Sequence, residues 1–309
     1  MNGLLALFGD AIFNLALVAA IFVPLELASP ARPGSTRSPF EAGQDLAFYA
    51  GQTLIFLPVV AILLGLLAAP LADSPAPRGR GPGLSASVGE ERPHSRACAR
   101  VPSAGSGATA PFPPGTQTRE PALKARTSCR LQFWLPIPTF HALPALVQIA
   151  IAVILADFCA YWGHRAQHRI PLLWRFHAVH HTSTEVNWLA AYREHPLDGL
   201  YTQALVNLPA ILLGVDFGAW LGVVVFRGAW AIFVHSNVHV PLGPLKWLFG
   251  APEFHRAHHA VDARGHYANL APWLDVLFGT HGPAGEPTRF GVEGVPPRTW
   301  WGLVSRGCR

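Results

Sequence analysis

Apolar residues are concentrated in five long runs, and segments rich in charged, polar and proline residues separate these runs. They cover about residues 3–28, 45–72, 142–162, 197–214 and 217–235. Each approaches the roughly 20 residues that an α-helix needs to cross the hydrocarbon core of a bilayer. The first run lacks a preceding basic segment and contains Asp10 and Asn14, so we expect a retained helix and not a cleaved signal peptide. The pattern predicts an all-α, multi-pass membrane protein.

The last two runs are joined by the short segment 215–218, so we expect them to form a helical hairpin. Arg227 lies in the middle of the second run of this hairpin. Because a charge is costly inside the hydrocarbon layer, we expect the Arg227 side chain to face protein, a functional site or an interface.

Residues 74–130 differ in composition from the runs on either side. They contain nine prolines and many glycine, serine and alanine residues, with almost no apolar periodicity. Such a segment cannot bury enough apolar surface to offset the entropy of ordering it. We therefore predict a disordered insert and assign it no chemistry.

The basic charge of the chain is confined to this insert. The formal net charge is +5, but residues 74–130 hold nine Lys and Arg against three Asp and Glu, and the rest holds 14 basic and 15 acidic residues. The charge thus does not indicate a nucleic-acid partner. Only 13% of the residues are charged and 50% are hydrophobic, which is typical of a membrane protein. The four cysteines form no CxxC pair and no disulfide framework.

Ten of the 15 histidines fall into four tight clusters in the second half of the chain. Their spacings of three and four residues place imidazoles on one face of a helix. Ten ligands are more than one tetrahedral ion needs, so the pattern predicts two metal ions held by nitrogen ligands. The predicted ligands are His164, His168, His177, His180, His181, His235, His239, His255, His258 and His259.

All four clusters lie at or beyond the ends of apolar runs. The run 142–162 leads to His164, and the hairpin 197–235 leaves that side and returns to it at His235. We therefore expect one site next to the membrane. Arg165, Arg169 and Arg175, with Arg193, favour a cytoplasmic location for the metal side. Three full spans before His164 would put the basic insert on the opposite side of the membrane from the histidines. Either the insert does not follow the preference of basic segments for the cytoplasmic side, or one early run does not cross the membrane.

The identity of the metal is not set by the ligands, because imidazole suits iron, zinc, copper and nickel. Zinc would suit hydrolysis, whereas iron can activate dioxygen and attack the C–H bonds of a lipid. Carboxylates often orient metal-bound histidines through the second ring nitrogen. The candidates for that role are Asp157, Glu194, Glu253 and Asp275. His195 and His266 are candidate extra ligands, whereas His94, His141 and His281 are expected to be bystanders.

Four segments resemble the fatty acid hydroxylase superfamily and in particular its sterol desaturase branch. DFCAYWGHRAQH at 157–168 resembles the first histidine box, LWRFHAVHH at 173–181 the second, and FHRAHH at 254–259 the third. Asn269 and DVLFGT at 275–280 resemble the terminal signature. The resemblance covers about residues 142–281, and the earlier half of the chain resembles only generic membrane helices.

The resemblance implies a histidine-rich di-iron centre that faces the cytosol. It implies O2-dependent hydroxylation or desaturation of a sterol, fatty acyl or related isoprenoid lipid, with electrons from a separate ferredoxin, cytochrome b5 or reductase. The membrane would be a bacterial inner membrane, or the endoplasmic reticulum in a eukaryote. The expected organisation is membrane helices at 1–73, the insert at 74–130, a catalytic domain at 131–285 and a tail at 286–309.

Two other functions are consistent with clustered histidines. A dinuclear zinc hydrolase of lipid esters would need neither oxygen nor a reductant. A non-enzymatic metal-binding or transport protein is the other alternative, but a transporter would place its ligands near the middle of the bilayer. The clusters at the ends of the runs disfavour transport.

Overall fold

Helices form every long element in the part of the chain that the computed structural model describes, which is residues 2–59, 138–283, 285–294 and 299–308. No extended strand occurs among these residues, which contain only two isolated β-bridges. The predicted insert 74–130 and the end of the run 45–72 lie outside the described residues. The α-helices are α1 Asn2–Ala28, α2 Pro39–Gly51, α3 Pro138–His141, α4 Ala145–Arg169, α5 Pro171–His177, α6 Pro196–Leu213, α7 Phe217–His235, α8 Lys246–Phe249, α9 Pro252–His258, α10 Trp273–Leu277 and α11 Trp300–Arg306.

Several short turns complete the described elements. A π-helical turn at Gln52–Phe56 continues α2, and 3₁₀ turns lie at His180–Thr182, Trp188–Tyr192 and Gly243–Leu245. The two 3₁₀ turns between α5 and α6 belong to the polar side of the protein, where the histidines gather.

Three of the described helices are long and apolar enough to cross a membrane. These segments are Leu5–Ala28, Ala145–Arg169 and Gly218–His235. The run 197–214 also forms a helix, α6, but it is not among these three segments. Its first turn carries Asp198 and its interior carries Pro209. The prediction of an all-α protein with membrane-spanning helices is confirmed.

The predicted hairpin between α6 and α7 has ordinary helix-ending signals. Gly214 adopts a left-handed conformation (φ 66°) and ends α6, as glycine can do without the steric penalty of a Cβ. Asp216 then caps α7, because its side chain accepts a hydrogen bond from the backbone N–H of Ala219 at 3.0 Å. The chain therefore reverses within a few residues, and α7 returns to the side from which α6 began.

Small residues allow the helices that carry the site to pack closely. Ala152 and Ala156 of α4 are fully buried against Val206 and Ala210 of α6, and Trp220 of α7 joins the same cluster. Small side chains at helix contacts are typical of membrane helices, since they let backbones approach. Many large apolar side chains remain exposed on the outer faces, including Ile12, Phe13, Leu146, Ile154 and Val225. A lipid bilayer would cover such faces.

A network of buried charges joins the start of α2 to the segment before α6. Arg193 is 1% exposed, and its Nε donates a hydrogen bond to Asp45 at 2.5 Å. Arg37 forms an ion pair with the same carboxylate. Burial lowers the pKa of Arg193 to about 10, so the guanidinium remains charged at neutral pH. The network fixes the backbone of Arg193, whose carbonyl oxygen contacts one of the clustered histidines.

Candidate metal centre

Nine of the ten predicted ligands lie in two adjacent groups. Each group can offer one ligand atom per residue, and these atoms lie within 4.8 Å of one another. Group one consists of His164, His168, His177, His181 and His258, and group two consists of His180, His235, His255 and His259.

Two histidine-rich segments contribute to both groups, whereas α4 and α7 each contribute to one group. The C-terminal end of α4 supplies His164 and His168, and the C-terminal end of α7 supplies His235. The segment HAVHH gives His177 and His181 to group one and His180 to group two. The HRAHH segment gives His255 and His259 to group two and His258 to group one. The two groups are therefore held by shared backbone.

The Nδ1 atoms of five histidines face acceptors outside the groups. A carbonyl or carboxylate oxygen can only accept, so each of these Nδ1 atoms carries the hydrogen and leaves the Nε2 lone pair directed inwards. The contacts are His164 to Tyr267 O at 2.7 Å, His177 to Asp198 Oδ2 at 2.9 Å, His180 to Arg193 O at 3.0 Å, His235 to Ala231 O at 2.6 Å and His258 to Gly265 O at 2.8 Å.

The inward nitrogens of group two are spaced for a bound cation. Nε2 of His235 lies 3.0 Å from Nε2 of His180 and 2.9 Å from Nε2 of His255. Both His180 and His235 carry their hydrogen on Nδ1, so two bare lone pairs would face each other. Nitrogen ligands at about 2.0–2.1 Å from a shared ion are themselves separated by roughly 3 Å. The observed spacing therefore fits a shared metal ion.

A different observation indicates that group one can hold a metal. Nε2 of His168, His177, His181 and His258 is buried in each case and has no hydrogen-bond partner among the described residues. A buried polar atom without a partner costs free energy, and four such atoms converge here. A bound cation would satisfy all of them together.

Burial also keeps the imidazoles in the state that binds metal. It lowers the pKa of His180 to about 3, and it lowers the pKa values of His177, His181, His255, His258 and His259 well below the usual value. Neighbouring histidines lower these values further. At neutral pH the rings are therefore uncharged, as ligation requires.

Acid is expected to release the metal and destabilise the metal-free protein. Unfolded histidines bind protons below about pH 6.5, whereas folded His180 stays neutral until about pH 3. The unfolded state thus binds more protons as the pH falls from 6.5, so stability present above pH 6.5 is progressively lost. Metal content after dialysis between pH 8 and pH 4 would measure the release. A constant metal content across this range would contradict imidazole ligation.

Asp198 is a site residue that the sequence analysis missed. Its carboxylate, 3% exposed, accepts hydrogen bonds from His177 Nδ1 at 2.9 Å and from Gln167 Nε2 at 2.6 Å. Asp198 lies in the first turn of α6, far from His177 in the chain, and α4, α5 and α6 must assemble before the three side chains meet. The only sequence signal was a carboxylate three residues after His195.

The four carboxylates proposed from the sequence bind other partners. Asp157 pairs with Arg227, so the Arg227 side chain does face protein. Glu253 pairs with Lys246 at 2.6 Å. Glu194 accepts a hydrogen bond from Gln52 Nε2 at 3.2 Å, and burial raises the pKa of its carboxyl to about 8.

Asp275 acts on group one indirectly. It is 1% exposed and accepts hydrogen bonds from the backbone N–H groups of Tyr267 and Ala268, both at 2.9 Å, and from the Thr280 hydroxyl at 2.7 Å. These bonds hold the loop whose Tyr267 carbonyl oxygen accepts from His164. Asp275 therefore supports the loop and not the imidazole itself.

Three other predicted histidines lie outside both groups. His239 is exposed. His195 caps α6, with Nδ1 accepting from Leu197 N and Nε2 donating to Val304 O. His266 is buried and stacks on the ring of Phe254. The side-chain oxygen of Asn269 is buried and has no hydrogen-bond partner among the described residues.

Gly265 is a backbone position on which group one depends. Its φ is +123°, and a Cβ there would collide with the carbonyl oxygen of Thr280. Its own carbonyl oxygen accepts from His258 Nδ1. We expect Gly265→Ala to lower the free energy of unfolding by about 2–5 kcal/mol through strain and overpacking. Thermal unfolding in detergent would measure the change.

Gly43→Ala is the matched control for this substitution. Gly43 lies in α2, and a Cβ there would meet no atom within 4 Å. Alanine should be neutral or stabilising by up to about 1 kcal/mol at this helical position. Equal stability of the two variants would show that the backbone at Gly265 is not constrained.

Group one borders a cavity on the polar side of the protein. The cavity has a volume of about 260 Å³ and is lined by His168, His181 and His258, together with Trp174 and Glu293. The Trp174 ring packs against His168, with centroids 4.9 Å apart, and against His181 at 5.5 Å. This arrangement places group one beside a polar opening.

The sequence model of the fatty acid hydroxylase family matches residues 149–280. The ornithine lipid hydroxylase OlsE of Rhizobium tropici is 32% identical over 157 residues, which are 49% of this chain and 47% of that protein. The very-long-chain aldehyde decarbonylase GL1-8 of Oryza sativa subsp. indica is 34% identical over 155 residues, 48% of this chain and 57% of that protein. The Delta(7)-sterol-C5(6)-desaturase of Nicotiana tabacum is 30% identical over 140 residues, 44% of this chain and 49% of that protein.

The chain thus spans about half the length of the curated relatives that it matches. No solved structure matches it significantly. The matched region contains the segments that carry all nine grouped histidines, and it includes Asp198 and Asp275.

Proposed function

We propose that this chain, whose residues 149–280 form a fatty acid hydroxylase domain, is a membrane-bound di-iron oxidoreductase that hydroxylates or desaturates a lipid C–H bond with O2 and external electrons. Relatives named as a lipid hydroxylase and a sterol desaturase support an oxidative enzyme that acts on lipids. The observation that carries the proposal is the pair of histidine groups, whose inward nitrogens fit two adjacent ions.

Iron bound in both groups would supply the activation of dioxygen and the attack on an unactivated C–H bond. The residues of the chain would bind the ions and orient the imidazoles that hold them. Nine imidazoles would hold the ions, and Asp198 with the backbone oxygens of Tyr267, Arg193 and Gly265 sets which ring nitrogen faces inwards. A ring with a fixed hydrogen on Nδ1 cannot turn away without losing that bond.

The location of the groups favours a lipid substrate. They lie at the ends of α4 and α7, two helices with the length and composition to span a bilayer. A lipid chain can therefore approach them from the apolar side without leaving the membrane. The substrate class within the lipids is proposed no further than a sterol, fatty acyl or related isoprenoid compound.

Electrons would come from a separate donor, such as a ferredoxin, a cytochrome b5 or a reductase. The cavity that borders group one lies beside His168, at the C-terminal end of the segment Ala145–Arg169, and would offer an approach for such a partner. Arg165, Arg169 and Arg175 lie on the same side as the histidines, which supports a cytoplasmic location of the site.

Lipid profiling tests the proposal. Cells with and without the protein would be grown in air and without oxygen, and the His180→Ala variant would serve as the inactive control. We expect a lipid product that requires both the intact protein and oxygen. Purified protein should contain iron. Zinc alone, together with turnover in the absence of oxygen, would overturn the proposal in favour of a lipid hydrolase.

A further inference from the structure

An ion pair lies inside the membrane-spanning part of the helices that carry the histidines. Arg227 of α7 donates through Nη1 to Asp157 of α4, and their side chains are 12% and 6% exposed. Both residues belong to segments that can cross a bilayer. Charges in such segments are costly even when paired, and a buried ion pair is not by itself a source of stability. Its placement therefore calls for another role.

The pair joins one helix of group one to one helix of group two. Asp157 precedes His164 by two helical turns on the same face of α4, and Arg227 precedes His235 by slightly more than two turns in α7. At 1.5 Å per residue, each charge lies about 10–12 Å along its helix from the nearest ligand. His164 belongs to group one and His235 to group two.

Most contacts of α7 are with elements other than α4, although Trp220 joins the apolar cluster that contains Ala152 and Ala156 of α4. At the far end of α7, Trp220 Nε1 donates to Asn207 of α6 at 2.8 Å. At the site end, α7 packs on α9 and on the 3₁₀ turn Trp188–Tyr192, whereas α4 packs mainly on α6. α9 supplies His255 to group two and His258 to group one, and His259 of group two follows it directly, so His235 is the one member of group two that lies on α7 itself.

We infer that the Asp157–Arg227 pair sets the axial position of α7 against α4 and thereby the position of His235 relative to the ligands that the other segments supply. Apolar contacts alone would permit α7 to slide along α4, because dispersion forces are not directional. A charged hydrogen bond in hydrocarbon has a defined geometry, and no water competes for it. Both residues are positioning residues that act through the helices. The inference rests on the proposed dinuclear centre.

The test compares Arg227→Gln, Arg227→Leu, Asp157→Asn and the charge swap Asp157→Arg with Arg227→Asp. The matched control is Trp220→Phe, which removes an interhelical hydrogen bond of α7 that leads to α6 and not to α4. Each protein is purified in detergent, and only the monodisperse folded fraction is analysed. Metal per chain is measured, and magnetic coupling between the two irons is followed by Mössbauer spectroscopy.

We expect each single variant to weaken binding of the ion in group two by roughly tenfold or more and to lose the magnetic coupling, which needs both ions, while the ion in group one is retained. The charge swap should restore coupling at least in part, and Trp220→Phe should keep both ions coupled. Single variants that behave like Trp220→Phe, or a charge swap without any recovery, would overturn the inference. A parent protein with fewer than two irons would instead refute the proposed dinuclear centre.

Discussion

Replacement of His180 by alanine is expected to empty group two while group one still binds its ion. His180 is one of four ligands in group two, and its Nε2 lies 3.0 Å from that of His235. Mutation of a residue that contacts a metal ligand, but not the metal, typically lowers the metal affinity roughly 10–100-fold. Loss of a ligand itself should therefore lower the metal affinity at least about 100-fold. Iron per chain should be about halved, and the oxygen-dependent lipid product should fall by a similar factor of at least about 100.

His239→Ala is the matched control, because it removes an imidazole of the same HSNVH segment that faces solvent. This variant should retain both ions and full activity. Membrane insertion of both variants is checked by fractionation, and metal content is measured on the folded fraction. Full iron content in His180→Ala, or metal loss in His239→Ala, would refute the assignment of the two groups.

Asp198→Asn is expected to weaken the ion in group one through His177. The carboxylate accepts two hydrogen bonds, from His177 and from Gln167. An asparagine has the same shape, but one of its two side-chain atoms is a donor, so it cannot accept from both partners as well as the carboxylate does. The negative charge that strengthens the His177 bond is also lost. We expect affinity for the ion in group one to fall roughly 10–100-fold.

Competition with a graded series of chelators would measure this affinity, and the ion in group two should be less affected. Asp216→Asn provides the control. Asp216 caps α7 at the end remote from the histidines, and asparagine caps helices about as well as aspartate. If Asp198→Asn retained metal as firmly as Asp216→Asn, the role of Asp198 in orienting His177 would be wrong.

A spacing of four residues was a reliable local guide wherever the backbone between two histidines stayed in a helical or turn conformation. His164 and His168 are four residues apart and share group one, as do His177 and His181. His255 and His259 are also four apart and share group two. His235 and His239 have the same spacing, but α7 ends at His235 and Ser236 is extended (ψ 148°). The chain therefore carries His239 away from group two, and nine of the ten ligands predicted from the sequence lie in the two groups.

The sequence by itself determined the helical elements and the nitrogen-rich character of the candidate site. Long apolar runs produce helices that can span a bilayer, and imidazoles repeated at helical spacing produce groups of nitrogen atoms that can hold a metal, because both follow from interactions between residues close in the chain. The division of HAVHH between two groups, and the pairing of Asp198 with His177 and of Asp157 with Arg227, were decided only by the tertiary structure. Those contacts depend on how separate helices pack, and the distance between two side chains on different helices is not encoded in their spacing along the chain.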